Sequence, residues 1–211
     1  MKFVDPYDHI RVTKNRLPHW QQNGAVYFLT FRLADALPQS LLEQWEEERN
    51  IWLKWHPLPW SADVEQEYHR QFSRRIEAWL DAGHGTCVLG RRDCAKEVAT
   101  ALEHFTGTRV TMFSFVVMPN HVHVLFAPMR KWPLEKIVHS WKRQSAVRIN
   151  RLIGASGVLW QRDYFDRLVR NEQHFARCVR YIRSNPEKAH LRAGEHMLYE
   201  SNVARAVGTA V

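Results

Sequence analysis

Two histidines separated by a single residue form a candidate metal-binding pair. His121 and His123 flank Val122 within a run of β-branched and aromatic residues. Because side chains alternate between the two faces of a strand, both imidazoles would project from one face. Two neighbouring imidazoles are natural ligands for a divalent ion. Strand histidines that only form hydrogen bonds are also common, so the tripeptide alone leaves both interpretations open.

A tyrosine and an asparagine four residues apart form the second candidate group. Residues at this spacing are neighbours on one face of a helix, which places Tyr181 and Asn185 together beside its apolar stripe. His174 falls on the same flank two turns earlier and is a candidate auxiliary group. Each residue also has a structural interpretation, since tyrosines often border an apolar stripe and an asparagine before Pro186 can end a helix.

In combination, these side chains are suited to phosphodiester chemistry. Two imidazoles and a carboxamide oxygen form a mixed nitrogen and oxygen site of the kind that Mg²⁺ or Mn²⁺ accepts. An ion held there could neutralise the charge that develops on a phosphodiester. The phenol of Tyr181, one helical turn from Asn185, could act as the nucleophile, although a group with a pKa of about 10 needs local activation.

The apolar pattern along the chain predicts the elements that carry these residues. Two β-rich runs separated by Pro119 and Asn120 indicate an antiparallel hairpin that contains both histidines. Helices that alternate with such strands predict an α+β fold, a ferredoxin-like antiparallel sheet flanked by helices. The predicted order is strand 25–33, helices 40–55, 62–80 and 92–105, strands 109–118 and 121–128, helix 133–153, strand 158–169 and helix 171–185.

The length of 211 residues favours a single domain, 1–211. Residues 38–84 would be a helical insertion after the first strand, and residues 1–23 would be an irregular basic arm. The tail at 194–211 has little hydrophobic pattern, and we expect it to be mobile.

Composition excludes several classes of protein. With 45% hydrophobic and 25% charged residues, the chain is not disordered, collagen-like or a coiled coil. The three cysteines contain no CxxC pair, which disfavours a thiolate zinc site or a disulfide scaffold. No apolar signal-peptide core is found, and no stretch approaches the roughly 18 apolar residues of a membrane span. We therefore expect a cytoplasmic protein that does not contact a membrane.

The charge balance favours a polyanionic partner. Lysine and arginine total 30 against 22 acidic residues, a net charge of +8. Charge alone does not separate DNA from RNA, because phosphate contacts carry no sequence information. Candidate nucleic-acid contacts are Lys14, Arg16, His19 and Trp20 in the arm, Lys142, Arg143 and Arg148 on the helix at 133–153, and Arg162, Arg167 and Arg170 before the last helix.

Several runs resemble a known family. FVVMPNHVHVLF resembles the HUH motif of single-tyrosine transposases, and FARCVRYIRSNPEKAHL resembles their nucleophile helix. NRLPHWQQNGAVYFLTFRLADALP and WQRDYFDRLVRNEQHF also resemble members of one branch, the REP-associated tyrosine transposases. The resemblance extends over most of residues 14–192, and the joint occurrence of MPNHVHVLF and YIRSNP is its most specific part.

The resemblance implies a role for each candidate residue. His121 and His123 would bind the divalent metal, with Asn185 as the third protein ligand. Tyr181 would attack the scissile phosphate of single-stranded DNA and leave a 5′-phosphotyrosyl link and a free 3′-OH. Members of this branch recognise DNA hairpins from REP elements and cut near a short guide tetranucleotide.

The chain departs from the family pattern in its insertion and in one ligand. The insertion at 38–84 is longer than compact members need, and it would cover the site, form a binding surface or only enlarge the core. Asn185 stands where glutamine is common among mobile-element relatives, which favours the REP-associated branch. Insertion-sequence enzymes form dimers that exchange nucleophile helices, whereas the REP-associated branch can act as monomers, so monomer and homodimer are both open.

Two other functions fit the same residues. A DNA-binding protein whose catalytic chemistry is unused would need only the basic arm and helices. A metal hydrolase would use an activated water in place of Tyr181 and would leave no covalent adduct. The three interpretations therefore differ in whether DNA is cut and whether it becomes attached to Tyr181.

Overall fold

The structure is a computed structural model that describes residues 1–5, 7, 11–14, 18–57, 60–129 and 132–208. Its strands are β1 (Arg11–Lys14), β2 (Pro18–Gln21), β3 (Tyr27–Arg32), β4 (Val110–Val117), β5 (His121–Pro128), β6 (Phe165–Leu168) and β7 (Met197–Glu200). Its helices are α1 (Gln39–Trp55), α2 (Ala62–Tyr68), α3 (Arg74–Asp81), α4 (Arg92–Glu103), α5 (Leu134–Ile153), α6 (Glu172–Lys188) and α7 (Asn202–Gly208). None of these helices is long and apolar enough to cross a membrane.

Five strands form one sheet in the order β6-β3-β5-β4-β7. Every neighbouring pair in this sheet is antiparallel. The strands β3 to β6, with α4 and α5 as connections, have the order of a ferredoxin-like sheet, which confirms the predicted α+β fold. The helices α1 to α3 follow β3 as the predicted insertion.

The central strand β5 separates two apolar clusters on opposite faces of the sheet. Val122 and Val124 belong to the larger cluster, which also contains residues of α1, α3, α4 and α5. Leu125 belongs to the smaller cluster, together with the buried side of α6. Because His121 and His123 alternate with the valines, both histidines point to the face that α6 covers.

The insertion packs into the main core. The Trp45 indole donates to the Phe72 carbonyl oxygen at 3.2 Å, and its ring meets that of Phe165 in β6 at 6.0 Å between centroids. Leu80 of α3 is buried in the same cluster. A π-helical turn at His69–Ser73 joins α2 to α3, so the second predicted helix of the insertion is observed with one irregular turn.

The N-terminal arm differs from the predicted irregular segment, because β1 and β2 pair as an antiparallel hairpin. Four-residue strands interrupted by cations and Pro18 are too short to show a clear alternation in the sequence. Arg16 lies outside the described residues, and the structure describes only the backbone of Lys14, His19 and Trp20.

The C-terminal tail also differs from the prediction of a mobile segment without pattern. The strand β7 pairs with β4, and Tyr199 stacks on Phe115 at 5.1 Å between ring centroids. Ala204 of α7 is fully buried in the cluster that contains α6. The prediction is wrong for residues 197–208, because elements of four and seven residues give no periodic signal.

Two predicted boundaries move. The helix α6 continues through Pro186 to Lys188 instead of ending at 185. Proline removes one backbone donor, but Pro186 is itself buried, so packing stabilises the last turn. The predicted strand at 158–169 shortens to β6. Before it, Trp160 forms an isolated bridge to Leu33, the residue that follows β3.

Candidate active site

The two strand histidines are held against each other beneath α6. His121 and His123 are each 1% exposed, and their Nε2 atoms lie 3.1 Å apart. Their rings meet edge to face at 4.7 Å between centroids. Both therefore project from one face of β5, as the sequence predicts, and their Nε2 atoms lie next to each other.

Asn120, the residue before β5, fixes the proton of His121. Its amide nitrogen donates to the carbonyl oxygens of Leu80 and His84, at 3.2 and 3.1 Å. Its Oδ1 atom is therefore the group that accepts from Nδ1 of His121, at 2.8 Å. With this proton on Nδ1, the neutral ring presents a lone pair on Nε2.

The neighbouring strand β3 orients His123. Thr30 stands opposite His123 in the strand pairing, and its hydroxyl lies 2.7 Å from Nδ1. The ring of Phe28 stacks on the imidazole at 5.5 Å between centroids. Burial lowers the pKa of His121 to about 3 and the pKa of His123 well below its ordinary value. Both rings are therefore neutral near pH 7, the form in which imidazole binds a metal.

The helix α6 brings the nucleophile candidate to the histidines. Its first turn is capped by Asn171, whose side chain accepts from the His174 backbone N–H at 2.8 Å. The Tyr181 ring meets the His123 ring edge to face at 5.2 Å between centroids. The Nζ atom of Lys188 lies 5.0 Å from the centre of the same phenol ring. Tyr181 thus lies between a histidine and a cation.

The hydroxyl of Tyr181 is buried and has no hydrogen bond of normal geometry within the described part of the chain. Burial, followed by the charges of Glu77 and Asp81 on α3, raises the pKa of this phenol. Burial also raises the pKa of Glu77. The insertion therefore reaches the phenol through α3 as well as adding to the core, and the phenol is neutral in this arrangement.

Asn185 completes the group of polar atoms around the histidines. It is fully buried, and neither atom of its side-chain amide has a hydrogen-bond partner among the residues that the structure describes. Its amide interacts with His121 closely enough to raise the pKa of that ring, against the larger effect of burial. Fully buried amides normally have partners. The orphaned amide therefore points to a missing ligand.

This donor set fits a divalent cation. Two neutral imidazoles and one amide oxygen form the mixed ligand set expected for an ion such as Mg²⁺ or Mn²⁺. No cluster of three or more His, Cys, Asp and Glu side chains offers another metal site within the described ranges. The candidate site therefore depends on Asn185 as its third ligand.

The predicted nucleic-acid contacts fall in different surroundings. Four of the predicted contacts are exposed, namely Arg143, Arg148, Arg162 and Arg170. Lys142 instead donates to the backbone carbonyl oxygens of Gln161 and Arg162, the latter at 2.8 Å. Burial lowers the pKa of Lys142 to about 8. Lys142 therefore anchors the segment before β6.

Arg167 and His174 lie beside Tyr181 and the start of α6, respectively. The charge of Arg167 acts on Tyr181, which places this arginine near the phenol. His174 accepts from the Arg170 backbone N–H at 3.3 Å, a contact that supports the start of α6. Burial, followed by the charge of Arg167, lowers the pKa of His174 to about 4. Only Arg167 of this pair is placed to meet a phosphate at Tyr181.

Three residues of the site were not expected from the sequence. Asn120 was interpreted as part of a turn, and Thr30 as one residue of a buried strand. Glu77 lies on the polar side of an insertion helix, far from the histidines along the chain. A polar side chain directly before the first histidine was the one signal that could have indicated Asn120.

We expect Asn120→Ala to weaken Mn²⁺ binding by about 10- to 100-fold, because His121 loses the acceptor that fixes its Nδ1 proton. Isothermal titration with Mn²⁺ measures the change. Asn120→Asp keeps an oxygen acceptor and should retain more of the affinity. The control is Asn150→Ala on α5, which removes a side-chain amide that donates to the Gly157 carbonyl oxygen. Equal affinities in Asn120→Ala and Asn150→Ala would contradict this role.

The half-buried histidine His69, outside the metal site, predicts a loss of stability in acid. Burial, followed by the charge of Arg167, lowers the pKa of His69 to about 3. Below about pH 6.5 the unfolded chain binds a proton that the folded chain rejects, so stability falls from pH 6.5 towards pH 3. We expect the decrease in Tm between pH 7.5 and 5 to be smaller in His69→Gln than in the parent. The exposed His104→Gln should behave like the parent, and identical pH profiles for all three proteins would contradict the prediction.

The sequence of residues 89–185 matches the family model of IS200-like transposases. The match covers 97 of the 211 residues. The matched region contains His121, His123, Tyr181 and Asn185, whereas Thr30 and Glu77 of the candidate site lie outside it. The insertion and the C-terminal tail lie outside the match.

Comparisons with individual proteins add less. No curated protein matches the chain significantly. One similar solved structure is a REP-associated tyrosine transposase bound to a REP hairpin, at 16% identity and a TM-score of 0.43, covering 83% of this chain and 74% of that chain. A likeness at this level supports no conclusion about the present chain.

Proposed function

We propose that this protein is a divalent-metal-dependent endonuclease and strand transferase for single-stranded DNA, with Tyr181 as its nucleophile. The convergence of the phenol and the orphaned Asn185 amide on the two histidines carries this proposal. The transposase sequence of residues 89–185 supports it independently. REP-type DNA hairpins are the substrate class implied by the motifs that resemble the REP-associated branch.

The residues of the site divide the reaction between them. The Tyr181 oxygen attacks phosphorus and a phosphotyrosyl bond forms, while the bond to the 3′ oxygen breaks and this oxygen takes a proton from water to leave as a 3′-OH. Glu77, which faces the phenol, is suited to accept its proton. A divalent ion bound by His121, His123 and Asn185 would stabilise the charge on the phosphate. Attack by another 3′-OH reverses the first step and joins a new strand.

Positive charge near the nucleophile favours DNA binding. Lys188 lies over the phenol ring, and the charge of Arg167 reaches the same group. These cations would hold phosphates of the strand on either side of the scissile bond. The net charge of +8 would add a long-range attraction that salt weakens.

A cleavage assay tests the proposal. End-labelled hairpin DNA made from palindromes that flank the gene is incubated with the protein and Mn²⁺, then separated on a denaturing gel. We expect a protein-linked DNA band that requires Mn²⁺ and disappears after protease treatment. Cleavage without a linked band would instead support an activated water. Binding without cleavage would support the non-catalytic alternative.

That alternative, a DNA-binding protein with unused catalytic chemistry, is favoured by one observation. The Tyr181 hydroxyl is buried, and its raised pKa keeps the phenol neutral. A reactive phenol would need this environment to open when DNA binds. The same assay therefore decides whether the burial reflects a resting state or a structural tyrosine.

A further inference from the structure

A polar pocket lies beside the candidate metal site, between α1, the end of β3 and the segment before β6. Its volume is about 280 Å³, enough for one nucleobase. Arg32 and Arg49 line it together with Trp45 and Phe165. Arg32 pairs directly with His121 across β3 and β5, so the pocket adjoins the histidines.

Each of the two arginines of this pocket has one buried nitrogen without a hydrogen-bond partner among the described residues. Arg32 is 4% exposed and Arg49 is 3% exposed. The Nη1 atom of Arg32 and the Nη2 atom of Arg49 are buried and have no hydrogen-bond partner in the described part of the chain. The Nε atom of Arg49 donates to the Tyr68 hydroxyl at 2.6 Å, and its guanidinium lies 5.6 Å from the centre of the Trp45 ring. Buried charged donors without acceptors are costly, which indicates that a ligand supplies the acceptors.

The rest of the lining distinguishes a base from a phosphate. Glu46 and Asp163 also line the pocket and are half-buried, and their charges act on Arg32. A phosphate offers only acceptors and would be repelled by both carboxylates. Guanine offers O6 and N7 as acceptors to an arginine and N1–H and N2–H as donors to a carboxylate. Trp45 and Phe165 add aromatic surface for the base.

We infer that this pocket binds a guanine base turned out of single-stranded DNA, with Arg32 and Arg49 as donors and the rim carboxylates as acceptors. The inference rests on the proposed function, since it assumes that DNA passes the histidines. It adds a point of base recognition that the insertion helix α1 provides, outside the region that matches the transposase family.

Binding of short oligonucleotides to full-length protein tests the inference without any cleavage. Fluorescence anisotropy compares a labelled ten-nucleotide thymidine strand with strands that carry one central guanine, adenine or 7-deazaguanine. The assay uses Tyr181→Phe in EDTA. We expect guanine to strengthen binding by about 10-fold or more over thymidine alone, and 7-deazaguanine, which lacks the N7 acceptor, to lose most of that gain.

Protein variants test whether the preference for guanine depends on this pocket. Arg49→Lys and Arg32→Lys should bind the thymidine strand like the parent but lose the preference for guanine. Arg75→Lys, on the same insertion but paired with Glu48 outside the pocket, should keep it. Thermal melting checks that each variant is folded. If Arg49→Lys does not fold, the comparison of guanine with 7-deazaguanine still tests the inference on protein whose pocket is unchanged.

Several outcomes would overturn the inference. These are equal binding of all strands, no binding of any strand, an unchanged guanine preference in the pocket variants, and loss of the preference when inorganic phosphate competes. Failure of the proposed function has a different signature, the absence of a protein-linked DNA band with active Tyr181 and Mn²⁺. A guanine preference without that band would keep the pocket and reject the catalysis.

Discussion

Replacing Tyr181 with phenylalanine is expected to eliminate the covalent protein–DNA band completely while leaving hairpin binding within about twofold of the parent. The phenol oxygen is the only atom removed, and it makes no hydrogen bond that the helix needs within the described chain. The ring would keep its contacts with His123 and Phe28, so the fold should be unaffected. Denaturing gels and anisotropy with labelled hairpin DNA measure the two effects.

Tyr199→Phe is the matched control for this experiment. Tyr199 stacks on Phe115 in the tail strand, on the side of the sheet away from the histidines, and should cleave DNA like the parent. A covalent band that persists in Tyr181→Phe would assign the nucleophile to another residue. Cleavage that persists without any band would favour a water nucleophile and would reject the phosphotyrosine mechanism.

Replacing His121 with glutamine is expected to reduce cleavage by at least about 1,000-fold, the effect of losing several kcal/mol of metal stabilisation of the phosphate. The same change should remove the increase in Tm that Mn²⁺ gives the parent, because a ligand stabilises only the state that binds it. Glutamine retains a polar side chain of similar length, so a loss would reflect the imidazole itself. Single-turnover cleavage and thermal melting with and without Mn²⁺ provide the two readouts.

The exposed His139 on α5 offers the corresponding control, His139→Gln, which should keep both the Mn²⁺ response and the cleavage rate. Cleavage by His121→Gln at the parent rate would show that the imidazole pair does not bind the catalytic ion. Loss of cleavage with a normal Mn²⁺ response would place the ion elsewhere. The histidines would then have to be assigned a purely structural role.

The sequence was sufficient to predict the elements that carry the site. The alternation along β5 predicts that both histidines share a face, and the four-residue spacing on α6 places Tyr181 beside Asn185. Both predictions depend on one element each, where periodicity fixes side-chain direction. The fold class followed from the order of such elements. The local hydrophobic pattern was therefore enough to predict the long strands and helices and the direction of the side chains that they carry.

Contacts between distant segments could not be predicted in this way. The placement of Glu77 near Tyr181 depends on how the insertion folds back, and the bond from Asn120 to His121 depends on carbonyl groups of α3 and the loop after it. The pocket around Arg32 and Arg49 joins three separate segments. The tail strand was missed because four residues contain too little pattern. These features arise from tertiary packing, which no single segment encodes.

The attachment of α6 has a consequence for how the site could be shared between copies. Arg183, two residues after Tyr181, pairs with Glu200 of β7 at 2.9 Å, and α7 packs in the same apolar cluster as α6. Exchange of α6 with another molecule would have to break this ion pair and the packing against α7, and it would expose the sheet beneath α6. One chain contains both imidazoles, the amide and the phenol, so the proposed reaction would need no second subunit and would not be lost on dilution.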